Sequence, residues 1–254
     1  MQSKRINLPF PRNPDYGRGA TRRRVRLVNG EGATTGHLVD IFHAMDVRIE
    51  HDGERVTAAH GDMRRIPNTA CAGAPAMLQE LVGMPIAAPV YGFYAGGRAR
   101  RNCTHLLDLA VLTISHAGRG ERERVYEAVV PDELDEPVLL EAFMNGQRVH
   151  GWRALEGTIR EPAEFAGRPL CNGFAAWASR RFAGDALEAA MVLAHTYLIS
   201  RGREYDTEAF TGLPISRNPL LNGVCYAYAA ERRETALFIS GNTRDFSTGI
   251  PDDA

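Results

Sequence analysis

The chain has 254 residues, 44% of them apolar, and a formal net charge of −1. This is enough apolar material for a sizeable core, built as one large domain or two small ones. The charge balance excludes a global pull toward nucleic acid or a membrane surface, and no apolar run approaches the roughly 20 residues of a membrane-spanning helix.

The first residues, "MQSKRINLPF", lack an apolar h-region, so no secretory signal is expected. Residues 1–20 hold three prolines and little periodicity, and read as an arm lying on the surface. "TRRRVRLV" reads as a strand with Arg22, Arg24 and Arg26 on one face and Val25 and Leu27 on the other. The arginine face is expected to be solvated or locally paired, with an anionic ligand as the alternative.

The run "HLVDIFHAMDVRIEHDGERVTAAHGDMRRI" reads as a hairpin around the turn "HDGE". In its first arm Ile41, His43, Met45, Val47 and Ile49 share the core-facing side, while Asp40, Phe42, Asp46, Arg48 and Glu50 mostly fill the other. A loop containing Cys71 then leads to a short helix around Pro75 to Val82, ended by Gly83 with Pro85 after it. "VYGFYAGGRAR" is glycine-rich and reads as a mobile or lining loop that does not match a phosphate-loop spacing. Tyr91, Phe93 and Tyr94 either line an apolar pocket or pack ordinarily.

The next helix takes Asn102 as its N-cap. Cys103, Leu106, Leu107, Ala110, Val111 and Ile114 recur at helical spacing, and Gly118 ends it. "RVYEAVV" and "VLLEAFMNGQRVHGWRALEG" give further strands, the "NG" marking a second hairpin. "GDALEAAMVLAHTYLISRGR" reads as a helix with Asp185 as N-cap, Glu188 completing a capping box and Gly202 as the stop. The tail has room for one or two more strands. The expected class is therefore α+β, with antiparallel β-hairpins packed against helices. The expected organisation is one domain over 1–254: the arm 1–20, an α+β core over 21–165, and a helical extension and tail over 166–254.

Four cysteines, Cys71, Cys103, Cys171 and Cys225, are too few and too spread for a disulfide scaffold. They point to a cytoplasmic protein with reduced thiols. Cys171 and Cys225 are expected in the core. Cys103 falls in the first turn of its helix, where free backbone N–H groups and the dipole favour a thiolate. Cys71 precedes another helix, His43 sits on an inward strand face, and His105 follows Cys103 by two. Asp108, three residues after His105, reaches the same helix face, to orient the imidazole or to pair with Arg101. Cys and His are the ligand types for zinc or iron, and equally suit thiol–imidazole acid–base or nucleophilic work. No C-x-x-C or H-E-x-x-H motif forces a metal, and no Gly-x-Ser-x-Gly elbow points to a serine hydrolase.

The segments "RRRVRLV", "LVDIFHAMDVRIEHDGERVTA", "RRIPNTACAGA" with "LQELVGMP", and "CTHLLDLA" resemble a bacterial family, the domain of unknown function 2889. "GVCY" and "RDFS" extend the likeness toward the C-terminus. The resemblance implies that His43, Cys71, Cys103 and His105 are the characteristic polar set. Members occur among bacterial pathways that degrade aromatic, steroid or terpenoid compounds, which implies a small apolar substrate.

A fainter similarity is to the scaffold proteins of iron–sulfur cluster assembly. There His43 would stand in place of an aspartate, and Cys71 and Cys103 in place of the two later cysteines. The scaffold's first cysteine has no counterpart, since positions 37 to 42 read "HLVDIF", and its histidine precedes its cysteine whereas His105 follows Cys103. This similarity implies a shared core fold with a repurposed site.

The expected function is an enzyme, a hydrolase, lyase or isomerase, acting on a small, largely apolar metabolite through His43, Cys71, Cys103, His105 and Asp108. If a metal is present, zinc or iron, its ligands are His43, Cys71, Cys103 and His105. The competing readings are a metal- or iron–sulfur-carrying accessory protein and a non-catalytic ligand-binding module. The expected partner is a small-molecule substrate, with no nucleic acid and no membrane; a homo-oligomer stays open.

Overall fold

The computed structural model describes residue 8 and residues 10–252; the Tyr91 side chain and part of the expected arm lie outside the described residues. The fold is α+β, with eight antiparallel strands accompanied by helices. The chain divides into two compact units. One comprises Val25–Arg124 and Phe210–Thr243; the other comprises the chain up to Arg24, Val125–Ala209 and the residues from Arg244 on. The segment 166–254, read from the sequence as one extension, is thus shared between the two units.

The first unit holds most of β1 (Ala20–Gly30), then β2 (Ala33–Asp40), β3 (Ala44–His51) and β4 (Val56–Arg65), in the order β4-β3-β2-β1. β2 pairs with β3 antiparallel from Ala33↔Glu50 to Val39↔Ala44, and β3 pairs with β4 from Ala44↔Arg65 to His51↔Val56. The "HDGE" turn is as read: the Asp52 carboxylate accepts from the N–H groups of Glu54 and Arg55, and Gly53 takes φ 96°, which only glycine adopts cheaply.

The single long arm expected over 38–50 is instead two strands. The chain reverses at Ile41 and Phe42, so His43 lies at the end of a tight turn rather than within a strand.

A 3-10 helix, Thr69–Leu81, lies against β4. It begins earlier than expected, because Asn68 caps it by accepting from the Ala70 N–H, and Pro75 lies inside it. Cys71 is therefore in its first turn, not ahead of it. The glycine-rich stretch folds into two short helices, α1 (Val90–Tyr94) and α2 (Arg98–Arg101). Asn102 ends α2, its side chain donating to Arg98 O. Cys103, not Asn102, is the N-cap of α3 (Thr104–Ala117).

α3 is buried along almost its whole length and packs on β2 and β3. Two glycines let the layers close. A Cβ at Gly36 on β2 would collide with the Thr113 hydroxyl and stand 3.0 Å from Leu109 Cδ1. One at Gly61 on β4 would stand 3.0 Å from Leu78 Cδ1 and 3.1 Å from Leu106 Cδ2. The segment after Phe210 forms turns and isolated bridges rather than further strands: Asn68 pairs with Phe238 and Pro214 with Leu237.

The second unit holds the start of β1 with β5 (Glu123–Pro131), β6 (Val138–Met144), β7 (Gln147–Leu155) and β8 (Thr158–Glu161), in that order. The "NG" hairpin is present, with Asn145 and Gly146 both at positive φ. α4 (Phe174–Arg181) and α5 (Gly184–Ser200) complete it. Its core centres on Trp152, whose ring lies 4.8 Å from His150, 5.9 Å from Phe174 and 6.3 Å from Phe182.

The capping box expected at α5 does not form. Ala183 is the N-cap, and the buried Glu188 accepts from Tyr126 Oη at 2.7 Å instead. Cys171 is exposed and so is not the core cysteine expected, whereas Cys225, half-buried, packs against a core cluster. The arginine face is paired as read: Arg24 bonds Glu127 and Arg26 bonds Glu123, while Arg23, on the opposite face with Val25 and Leu27, is buried. Among the described residues no helix is long and apolar enough to cross a membrane.

Two tests follow from this packing. Gly36→Val forces a side chain into α3, and is expected to destabilise the protein by about 1–3 kcal/mol in urea unfolding, as overpacking does. His116 and His150 are buried, and desolvation holds both imidazoles below their ordinary value. A depressed histidine lets the unfolded chain bind protons first. Stability is therefore full above about pH 6.5 and is lost as pH falls from there toward the folded values. The denaturation midpoint should drop between about pH 7.5 and about pH 5.5, with a smaller drop in His150→Gln.

Candidate functional site

The site is built on the turn between β2 and β3. Asp40 ends β2 with its side chain fully buried. Its Oδ1 accepts from the backbone N–H of Phe42 and of His43, both at 2.9 Å, an Asx-type turn that reverses the chain. The same carboxylate receives the imidazole of His43, with Nδ1 2.9 Å from Oδ1 and 3.2 Å from Oδ2. A carboxylate only accepts, so Nδ1 carries the proton; in the neutral ring Nε2 then keeps its lone pair. Asp40 belongs to no expected site set. Period 2 had placed it on the outer face, but its carboxylate satisfies three donors inside the turn and is drawn inward.

Arg65, the last residue of β4, fixes the turn from outside. Its guanidinium donates to the carbonyls of Asp40 (2.6 Å), Ile41 (2.7 Å) and His43 (2.9 Å), and also to Asn242 O (2.8 Å). The rigid fork of arginine suits such convergent acceptors.

His105, in the first turn of α3, brings its ring to 4.5 Å from that of His43, tilted by 47°. Two of the expected site residues therefore meet directly. His43 is buried and His105 half-buried. Asp108 is also buried, and its Oδ1 accepts from Tyr94 Oη at 2.8 Å. The expected pairing of Asp108 with Arg101 is replaced: Arg101 forms a two-pronged contact with Glu80, at 2.9 and 2.8 Å. For His43, the carboxylate that orients the ring is Asp40.

Cys103 lies at the start of α3, and Cys71 in the first turn of the 3-10 helix Thr69–Leu81. Cys71 and Cys103 are both buried, and each lies within electrostatic reach of Cys225 and, for Cys71, of Cys103. Cys225 packs with Cys71 against Ile215, Ala227, Tyr228 and Ala236. The donors expected to favour a thiolate at Cys103, the N–H groups of His105 and Leu106, are in place. Burial outweighs them, with the Cys225 charge adding to it, and the thiol is pushed up to about 12. Burial likewise drives the Cys71 thiol well above its ordinary value, and the Cys225 thiol up. At neutral pH these groups are thiols, weak as nucleophiles.

Among the described residues no group of three or more His, Cys, Asp or Glu side chains is arranged to hold a metal ion. The imidazoles pair with each other, and the thiols gather with Cys225. What the arrangement does offer is a carboxylate-held imidazole beside a second imidazole. No protein-family model matches the chain, and no curated protein matches it.

Two residues that position the site, Asp40 and Arg65, carry a weak sequence signal. "LVDIF" puts apolar residues at 38, 39, 41 and 42, which breaks strict alternation around an aspartate. Arg65→Met removes the donor to three turn carbonyls. It is expected to cost about 2–4 kcal/mol in urea unfolding. Arg64→Met, which removes only a surface pair with Asp46, is expected to cost less than about 1 kcal/mol.

Proposed function

We propose that the chain is an enzyme that moves a proton on a small, largely apolar metabolite, with His43 as general base and His105 as its partner. The observation that carries this reading is the buried Asp40–His43 pair set 4.5 Å from the His105 ring. Asp40 holds His43 in one tautomer and stabilises the imidazolium that forms when Nε2 takes a proton. His105 is placed to return a proton elsewhere on the substrate, giving isomerisation. If a leaving group departs with the electron pair instead, the outcome is lyase-type elimination.

Hydrolysis through a cysteine nucleophile has less support, because Cys71 and Cys103 are held as thiols. Asp108, on the same helix as His105, is buried and bonded to Tyr94, and is the further candidate of the set. The resemblance to the domain of unknown function 2889 family supports an aromatic, steroid or terpenoid compound as substrate class, in a cytoplasmic protein without nucleic-acid or membrane partners. The accessory-protein reading rests on the gathering of three thiols. Stoichiometric zinc or iron in protein purified without added metal, lost in Cys103→Ala, would favour it.

The test is hydrogen exchange into a panel of aromatic, steroid and terpenoid ketones in D2O, followed by mass spectrometry. At least one compound should take up deuterium at an activated carbon with wild-type protein, and His43→Ala should slow that exchange by about 10²–10⁴-fold. Exchange with none of the panel, or exchange indifferent to His43→Ala, would remove the proposal.

A further inference from the structure

Cys225 is the residue for which the proton-transfer reading has no use. It lies in the turn-rich segment that follows Phe210, half-buried, beside the exposed Val224. The segment is pinned onto the start of α3 by its backbone, since the N–H of Tyr226 donates to the carbonyl of Asn102 at 2.9 Å. Side chains reinforce this. The Arg232 guanidinium lies 3.8 Å from the centre of the Tyr226 ring, and its Nε donates to Tyr226 O at 2.6 Å. The Tyr226 hydroxyl rests against Gly73, where a Cβ would stand only 2.5 Å away.

The hydrogen bond links the peptide unit joining Asn102 to Cys103 with the one joining Cys225 to Tyr226. Standard backbone dimensions then hold the Cys103 and Cys225 Cα atoms within about 8 Å of each other. Disulfides span roughly 4.4–6.8 Å between Cα atoms, so a small adjustment of the turn segment suffices. After burial, the Cys225 charge is the next influence that raises the Cys103 thiol, in keeping with the backbone tether.

We propose that Cys225 and Cys103 form a reversible disulfide, with Cys225 as the outer thiol that meets the oxidant and Cys103 as the inner, resolving thiol. The oxidant is a hydroperoxide. The Cys225 sulfur attacks its terminal oxygen, the O–O bond breaks, and an alcohol leaves as Cys225 becomes a sulfenic acid. Cys103 then attacks that sulfur and water departs, leaving the S–S bond. Two thiols are oxidised and one peroxide is reduced. Burial raises the Cys225 thiol, and the N–H groups of Ala227 and Tyr228 and the charge of Arg232 offset only part of that rise. Cys71 has no backbone tether to either partner segment of this kind, and serves as apolar backing for Cys225. The bridge ties the segment after Gly223 to the helix start that carries His105. Its formation does not depend on the proton-transfer reading.

The full chain is treated with tert-butyl hydroperoxide, its remaining thiols are alkylated, and the unreduced digest is mapped by mass spectrometry. The expected product is a peptide pair joining Cys103 to Cys225, about 2 Da lighter than the two thiol peptides and restored by dithiothreitol. It should form equally in Cys71→Ser and be absent in Cys225→Ser, where Cys103 stays available for alkylation only after unfolding. A bridge from Cys71 to either partner, or fully alkylated Cys103 and Cys225 after peroxide treatment, overturns the proposal. The readout is covalent, so a failure here leaves the exchange experiment on His43 untouched, and the converse holds.

Discussion

Everything at the site hangs on the buried carboxylate of Asp40. A buried carboxylate is costly unless its oxygens are fully bonded. Here it terminates two backbone N–H groups and one imidazole N–H. The same contacts that make its burial tolerable bend the chain between β2 and β3 and set the angle of His43. Structure and chemistry are therefore one interaction. The turn cannot form without a short acceptor side chain at position 40, and His43 cannot be aimed without the turn. Arg65 adds the complementary half, donating to the carbonyls of Asp40, Ile41 and His43 around the reversal.

α3 is the second determinant. Its apolar stripe fixes it on β2 and β3, and the close approach allowed at Gly36 and Gly61 leaves it little freedom to shift. That rigidity carries to its first turn, where His105 faces His43 and Cys103 faces the other thiols. A site supported by a packed helix and a clamped turn is preorganised: its groups need not reorder when a ligand arrives. The thiols add an apolar, polarisable wall and not a charged one, because nothing near them outweighs the loss of water on burial.

The sequence made the hairpins and α3 legible, because alternation, "DG" and "NG" turns, and helical spacing are local signals. It also made His43 and His105 legible as members of one set. It concealed the reversal at Ile41 and Phe42, because a run of buried residues on both sides of the turn mimics a continuous strand. Alternation consequently assigns Asp40 to the outer face. Asn68 and Cys103 took the caps expected elsewhere, since capping depends on where the preceding chain comes from as well as on residue type. The role of Cys225 was invisible for a different reason: it depends on a segment more than 100 residues downstream pairing with Asn102, a contact that no local pattern encodes. Glu188 shows the same limit in the other unit, where a distant Tyr126 hydroxyl claims a side chain that matches a capping box.

The central claim is that Asp40 fixes His43 as the Nδ1-protonated tautomer beside His105. Nitrogen-15 NMR of the imidazoles reads this directly, at a pH where the ring is neutral. The account predicts that His43 shows a protonated Nδ1 and an unprotonated Nε2, and that Asp40→Asn shifts the ring toward the opposite tautomer or a mixture. A protonated Nε2 in the wild-type protein, or a tautomer unchanged by Asp40→Asn, would contradict it.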